Sequence, residues 1–447
     1  MTQSPLSTSQ KQKFGVSLAA RLALVMAMTI LLLIATIPIL ALIHDRSRRQ
    51  MEAVDEVSSK WAHAQTVTGP VLTVPYLVEE IVFDKVRNRD VAVASQRFAH
   101  FLPDKLKITG QVTPEIRRRG LFKAVVYQTR LTVTGEFAKP VLDGLGGAQG
   151  ALWDKAVLTL GLTDMRGFQK GESFSWRGGT LTFRPGLPTT DVVASGVTAD
   201  RVFAAAPREA SPFSMELTVS GSSGLYFTPL GRVTDVALES TWPNPSFGGA
   251  FLPDERSVGE QGFRAAWNVL DINRNYPQAF TGRTEALGTS VFGVDLMSPR
   301  GVYQSNTRAV KYAILFIGLT FMVFFMTEAL TALRVHPVQY GLVGLALCLF
   351  YVLLLSFSEY IPFNAAYVLA ALAVTGLITG YVNAALGDRR VTAALGGVLA
   401  SLYGFLLFVL QLQDYALLAG ALFLFAVLAA AMYFSRRIDW YALEKAG

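Results

Sequence analysis

The sequence predicts a membrane α-helical bundle of six helices with a large β-rich, sandwich-like antiparallel domain inserted between helices 1 and 2. Three observations predict it. An uncharged apolar run stands near the N-terminus, and the C-terminal third is apolar almost to its end. Between them lie about 260 mixed, moderately charged residues, enough for one or two soluble domains. The stretch 306–360 marks the change from the middle region to the last. A helix starting near Thr307 is therefore the joint between a water-soluble body and a membrane block.

Charged residues are only 16% of the chain against 51% hydrophobic, and mean hydropathy is +0.37. Soluble chains average nearer a quarter charged, so the deficit points to several buried spans. The net charge of +7 is not spread over the middle region, where 29 Lys and Arg face 27 Asp and Glu over residues 44–305. The excess sits beside the apolar runs, which reads as membrane orientation and argues against a nucleic-acid partner. Cys348 is the single cysteine and lies in an apolar run. The middle region therefore has neither an internal disulfide nor a cysteine-based zinc site.

Taken in order, residues 1–20 form a polar tail read as cytoplasmic. Lys11, Lys13 and Arg21 precede about 22 uncharged residues, 22–43, long enough to cross a bilayer as one helix. A cleaved signal peptide has a shorter apolar core and a small-residue site, so 21–43 is read as a retained signal anchor with Pro38 late in the span. A charged, helical stalk follows Ile43. From Gly69 the period becomes two. Leu131 and Val133 alternate with Thr132 and Thr134, and Phe213, Met215, Leu217 and Val219 alternate with Ser214, Glu216, Thr218 and Ser220. That is the pattern of strands wet on one face, and it predicts antiparallel sheet. Further strands are expected at 156–162, 179–184, 225–228, 236–240, 262–267 and 291–296, with 143–150 a loop and 194–212 a loop carrying a short helix.

The membrane block, 306–435, contains runs of spanning length at 310–333, 338–357, 363–386, 391–410 and 415–434. With the first helix these make six, so both termini share one side. Arg334, His336, Arg389, Arg390, Arg436 and Arg437 lie in one set of connections, and the other set, SEYIPF and QLQD, has no Lys or Arg. Basic connections stay in the cytoplasm. Both tails, including 436–447, are then cytoplasmic and the 44–305 domain periplasmic. Arg46, Arg48 and Arg49, just beyond the first helix, dissent.

Several residues invite a chemical reading. Glu328 is a carboxylate in an apolar helix, where charge is costly and often marks a proton or ion path. Its place near the helix end favours a solvated or hydrogen-bonded role, with Arg334 or another arginine of the cytoplasmic connections as its partner. Arg308 and Lys311 stand one turn apart, suited to snorkelling or to a headgroup clamp. Gly376 and Gly380, then Gly396, Ala400 and Gly404, recur at four-residue spacing and read as helix-packing positions. In WPNPSFGGAFLPD (242–254), prolines stiffen an extended segment and Gly248 and Gly249 permit a turn, presenting Trp242, Phe247 and Phe251. A packed corner is the favoured role, and an aromatic contact surface the sharper one. No catalytic or cofactor motif is found: no HExxH, Walker motif, nucleophile elbow or Cys/His cluster. His63 and His100 are the only histidines of the middle region beyond His44.

The strings TGPVLTVPY (68–76), STWPNPSFGGAFLPDERSV (240–258), GFRAAW (262–267) and TRAVKYAILFIGLTFMVFFMTE (307–328) closely resemble the CreD family of Gram-negative bacteria. HPVQYGLVG (336–344), LLLSFSEY (353–360) and RRIDWYAL (436–443) continue the resemblance. It implies a polytopic inner-membrane protein with a large periplasmic domain, tied to envelope integrity and to a regulon under a two-component system, with no established catalytic residue to carry over. The expected role is non-enzymatic and cofactor-free, its partners the bilayer and a periplasmic envelope protein or lipid. Two rival expectations stand beside it. A transporter or lipid-moving protein would use Glu328 and the small-residue faces. A periplasmic hydrolase would need a deep pocket near His63 or His100.

Overall fold

The computed structural model describes residues 18–84, 89–141, 150–169, 174–284, 286–296, 301–330, 336–412 and 415–436. The expected N-terminal tail, almost all of the loop at 143–150, Arg334 and Arg437 lie outside them. The chain divides into two compact units, residues 1–49 with 300–447, and residues 50–299.

The first helix, α1 (Leu18–Trp61), runs unbroken through Pro38 for 44 residues, about 66 Å at the α-helical rise. Its charged half, expected as a stalk, is helical. Ion pairs at helical spacing support it there: Arg48–Asp45 at 3.0 Å, Arg49–Asp45 at 2.9 Å and Lys60–Glu56 at 2.7 Å.

In residues 50–299 the strands form two sheets. The nine-stranded sheet runs Pro245–Gly249, Phe292–Leu296, Gly224–Phe227, Gln65–Asp84, Val157–Leu162, Gly196–Ala199, Phe183–Pro185, with Arg89–Phe101 branching off the long Gln65–Asp84 strand and Ala279–Thr281 pairing Arg89–Phe101. The eight-stranded sheet runs Glu255–Gly259, Gly262–Leu270, Val233–Ser240, Lys105–Arg119, Phe122–Phe137, Ser211–Ser222, Phe174–Trp176, Gly179–Leu181. One short helix, α2 (Ala286–Thr289), interrupts the strands.

Alternation placed most side chains correctly, Ser220, expected wet, being the exception as it is buried. Phe213, Met215, Leu217 and Val219 are buried while Ser214 and Glu216 are exposed. Each such aromatic or aliphatic burial stabilises by about 1.5–3 kcal/mol relative to exposure. The sheets, however, are mixed and not antiparallel. Gln65–Val67 pairs in parallel with Leu225–Phe227, and Lys105–Val112 with Val233–Ser240. Alternation reports which face is wet and carries no information on a partner's direction, so the expectation failed at these pairs. The 194–212 segment also differs. It contributes the strand Gly196–Ala199, every residue of it buried, and no helix. The span 179–184 splits, Gly179–Leu181 joining one sheet and Phe183–Pro185 the other.

One core holds residues of both sheets. Phe247 from the first sheet packs edge-on against Phe263 and Trp267 of the second, with ring centroids at 5.6 and 5.8 Å, and Trp267 reaches Phe292 at 5.7 Å.

In the other unit, α3 (Val302–Lys311) and α4 (Ala313–Leu330) are bent by 41° at Tyr312. The sequence predicted one straight span there. The break falls where a polar segment with Tyr303, Asn306, Ala309 and Val310 buried gives way to a predominantly apolar one. Then come α5 (Pro337–Ser358), α6 (Phe363–Leu386), α7 (Arg389–Gln411) and α8 (Ala416–Ser435). Among the described residues five helices are long and apolar enough to cross a membrane, and a sixth span is counted if the bent pair is one. The turns are coded locally. Pro337 opens α5, Gly387 at φ +68° closes α6, and the Asp388 carboxylate accepts from Arg390 N at 2.8 Å to cap α7. The interior is aromatic, with Tyr403 at 4.7 Å from both Phe316 and Phe350.

Candidate functional site

The stretch flagged at 306–360 folds back on itself. Asn306, one turn into α3, donates from Nδ2 to Ser358 Oγ at the end of α5 at 2.9 Å, and both residues are buried. The next residue, Glu359, has a side chain only 9% exposed. Its Oε1 lies 3.6 Å from Arg46 Nε on α1 and accepts from Tyr303 Oη on α3 at 3.3 Å. Arg308 extends the cluster by donating to the Leu412 carbonyl, beyond α7, at 3.0 Å. Four helices thus meet in one polar knot: α1, α3, α5 and the end of α7. A charge in so dry a place persists only when paired, and here an arginine and a phenol satisfy it. Asn306 Oδ1 is buried with no hydrogen-bond partner in the structure.

Of this cluster sequence reasoning singled out only Arg308; it passed over Asn306, Tyr303, Glu359 and Arg46 as site residues. Glu359 was visible as an acid at the end of a 22-residue apolar run. Arg46 was visible as the dissenter in the charge count. In the fold Arg46 is paired with Glu359, and Arg48 and Arg49 with Asp45. Lys311, expected beside Arg308, is exposed and takes no part in the knot.

Glu328 lies elsewhere, near the end of α4. It is half-buried and its Oε2 accepts from Tyr340 Oη at 3.3 Å. The Tyr340 ring is itself packed by Phe321 and Phe324. The partner expected from sequence, Arg334, is outside the described residues.

The small-residue positions need correction. A Cβ built on Gly376, Gly380 or Gly404 meets nothing within 4 Å, and Ala400 is exposed, so among the described residues no helix packs on these positions. Gly396 does, its added Cβ falling 2.8 Å from Thr379 Cγ2. The tightest membrane glycine is Gly344, where a Cβ would lie 2.1 Å from Leu32 Cδ1 and 3.0 Å from Phe321. It stands alone without a four-residue repeat, which is why spacing did not find it.

In the β-rich unit, Trp242, Phe247 and Phe251 form a corner and not a free surface. Trp242 is buried and donates to Asn244 O at 3.2 Å, and Phe251 packs edge-on to Phe292 at 6.0 Å. Gly249, at φ +96°, brings the backbone against Val291, where a Cβ would sit 2.2 Å from the carbonyl oxygen.

His63 follows the end of α1. Asp164 accepts from His63 N at 3.1 Å and sits 3.1 Å from its Nδ1, while Asp55 lies 3.3 Å from Nε2. Arg166 donates to both Asp164 oxygens, at 2.9 and 2.7 Å, and holds that carboxyl well below the usual carboxylate range. Trp61 Nε1 donates to Tyr127 O at 3.3 Å, Arg117 covers the Trp61 ring at 3.8 Å, and Ser58 and Ser222 hydroxyls meet at 2.8 Å. The last turns of α1 are tied to the sheets through these contacts.

His100 lies between Thr73 Oγ1, 3.1 Å from Nδ1, and Asp191 Oδ2, 3.3 Å from Nε2. The order hydroxyl, imidazole, carboxylate is that of an activated nucleophile. Its burial is not: Thr73 is 1% and His100 0% exposed, with the imidazole 5.2 Å from the Phe280 ring. Burial pushes the His100 pKa down and Asp191 partly opposes it. A cavity of about 360 Å³ in this unit is lined by Thr66, Thr68, Thr163, Ser195 and Thr228 but by neither histidine and no carboxylate. The pocket that a hydrolase would place at His63 or His100 is therefore not this one. Among the described residues no group of three or more His, Cys, Asp and Glu is arranged to hold a metal.

Comparison with known proteins agrees over almost the whole length. The family model for inner membrane protein CreD matches residues 17–441. The chain is 33% identical to the inner membrane protein CreD of Escherichia coli strain K12, over 99% of this chain and 96% of that one.

Proposed function

The chain belongs to the CreD family of inner membrane proteins, and from that premise we propose a multi-pass protein that maintains cell-envelope integrity through a periplasmic β-rich unit, without catalysis. In this reading α3 and α4 count as one bent span, giving six crossings and two cytoplasmic termini. The connections support that orientation. Arg389 and Arg390 precede and open α7 and Arg436 follows α8, whereas residues 359–362 and 412–415 contain no Lys or Arg.

The observation that carries the role is the Arg46–Glu359–Tyr303 knot. Arg46 and Tyr303 stand on the two segments through which the chain leaves for and returns from the β-rich unit, a few residues from each boundary. One buried carboxylate holds both. A body that engages envelope components needs its two tethers fixed in this way, so that a pull on either is shared by the bundle.

Two measurements test the reading. Alkaline phosphatase, active only outside the cytosol, is inserted after Ser222. Activity supports a periplasmic unit and silence overturns it. A deletion strain is then scored for dye permeability and complemented with wild type and with Glu359→Ala. Leakage rescued by wild type and poorly by the variant supports the role, and a deletion strain as tight as its parent overturns it.

A further inference from the structure

Between α4, α7 and α8 lies a cavity of about 570 Å³, walled by Met322 and Met326, Ala394 and Val398, Val427 and Ala430. Its size is that of a small-ligand site, about 300–1,000 Å³. The walls explain the space. Alanines stand where larger side chains would close the gap, and two methionines supply a polarizable, adaptable lining. Helix α8 touches α7 further along, where Phe405 and Phe423 stack at 3.8 Å. None of the most hydrophobic 18-residue window of α8 is buried within the chain.

Among the described residues one charged side chain lines the cavity: Arg390, in the first turn of α7. It is exposed, and Arg389 beside it is exposed too. The nearby carboxylates are otherwise engaged. Asp388 accepts from the backbone N–H of Arg390 and Val391, at 2.8 and 3.4 Å, and Glu328 accepts from Tyr340. Thr327, also in the lining, spends its hydroxyl on Val323 O at 2.8 Å. The site is thus an apolar slot with a cation at its edge and, among the described residues, no acid in its wall. Basic pockets between membrane helices bind anionic headgroups, and a slot with almost no polar lining suits an acyl chain.

We propose that this groove binds an anionic phospholipid, one acyl chain between α4, α7 and α8 and the phosphate on Arg390. The site completes the packing of α8, filling the gap that the chain leaves. The proposal rests on the membrane embedding of the helical unit and not on the role of the β-rich unit, so its failure would leave the envelope reading standing.

The test uses full-length protein, delipidated in detergent and titrated with phosphatidylglycerol or phosphatidylcholine of matched chains under native mass spectrometry. One cation near a headgroup predicts about fivefold higher occupancy by phosphatidylglycerol. Arg390→Gln should bring phosphatidylglycerol down to the phosphatidylcholine level. Ala394→Trp, which fills the slot, should reduce both, and Leu372→Trp on exposed α6 should change neither. Equal occupancy by the two lipids in wild type, or adducts untouched by both Arg390→Gln and Ala394→Trp, overturns the site. Because Arg390 is exposed, its variant keeps the test decisive even where Ala394→Trp fails to fold.

Discussion

Replacing Glu359 by alanine strips Arg46 of its partner and leaves the Tyr303 hydroxyl without an acceptor. At 3.6 Å an effective dielectric of about 20 gives roughly 4.6 kcal/mol of attraction. The Arg46 side chain is 37% exposed and can turn to solvent, so less than half of that survives as net stability. The Tyr303 hydrogen bond is long, 3.3 Å, and adds about 0.5–1 kcal/mol. Glu359→Ala should therefore cost about 2–3 kcal/mol. For a unit of about 200 residues that is a fall in Tm of about 5–10 °C. Glu359→Gln keeps an acceptor for Tyr303 and should cost about half as much. Thermal unfolding of the full-length protein in detergent, followed by helical circular dichroism, reads both. A double-mutant cycle with Arg46→Ala separates the pair from general packing, with an expected coupling of about 1–2 kcal/mol. Strict additivity of the two alanine variants, or an unchanged Tm for Glu359→Ala, would refute the reasoning.

Asp164→Asn should destabilise the β-rich unit by about 1.5–3 kcal/mol at neutral pH, read by denaturant titration of tryptophan fluorescence. Because the folded carboxyl titrates below its unfolded value of about 3.9, its contribution is present above that pH and lost as pH falls. Wild type and variant should converge in acid, and a constant gap would refute the assignment. Burial lowers the His100 pKa, so wild type should lose stability as pH falls below the unfolded value of about 6.5. His100→Gln, though less stable, should show a flatter slope between about pH 7 and 5, and an unchanged slope would count against a buried neutral imidazole. Gly344→Ala should lower Tm through its clash with Leu32 by about 1–3 kcal/mol of overpacking. Gly380→Ala should be neutral or stabilising by up to about 1 kcal/mol, and the reverse order of the two would disprove the packing described. Glu328→Gln retains an acceptor for Tyr340 and should complement a deletion strain as wild type does. Loss of complementation with a folded variant would revive the proton-path reading.

What could be read from sequence follows from what sequence encodes locally. Apolar runs of spanning length gave α5 to α8 to within a few residues, whereas the break between α3 and α4 left no mark in hydropathy. Period-two alternation gave the strands around Leu131 and Leu217. Strands such as Lys105–Arg119, with five basic residues, and the three-residue Phe174–Trp176 gave little signal. Parallel pairing was illegible because it joins segments more than a hundred residues apart. The polar knot was barely legible: of its α3 members only Arg308 drew notice, for its place at the joint, whereas Glu359 sat in a connection judged only by its lack of basic residues. The small-residue rule misled because spacing says that a helix face is smooth and not whether another helix covers it. Gly344 shows the converse, a contact made by one glycine without a pattern.

The strand that follows α1 has a consequence for biogenesis. Gln65–Asp84 takes its neighbours from residues 89–101, 157–162 and 225–227, and the last of these is bordered in turn by Phe292–Leu296. A nascent chain emerging in order must hold its first strand incompletely partnered while more than two hundred further residues are delivered, and such non-local pairings form slowly. During that interval the Val71–Tyr76 segment, fully buried at the end, is open to aggregation and proteases. Any truncation before Phe292 prolongs the exposure indefinitely, leaving the Gly224–Phe227 edge bare where Phe292–Leu296 should close it.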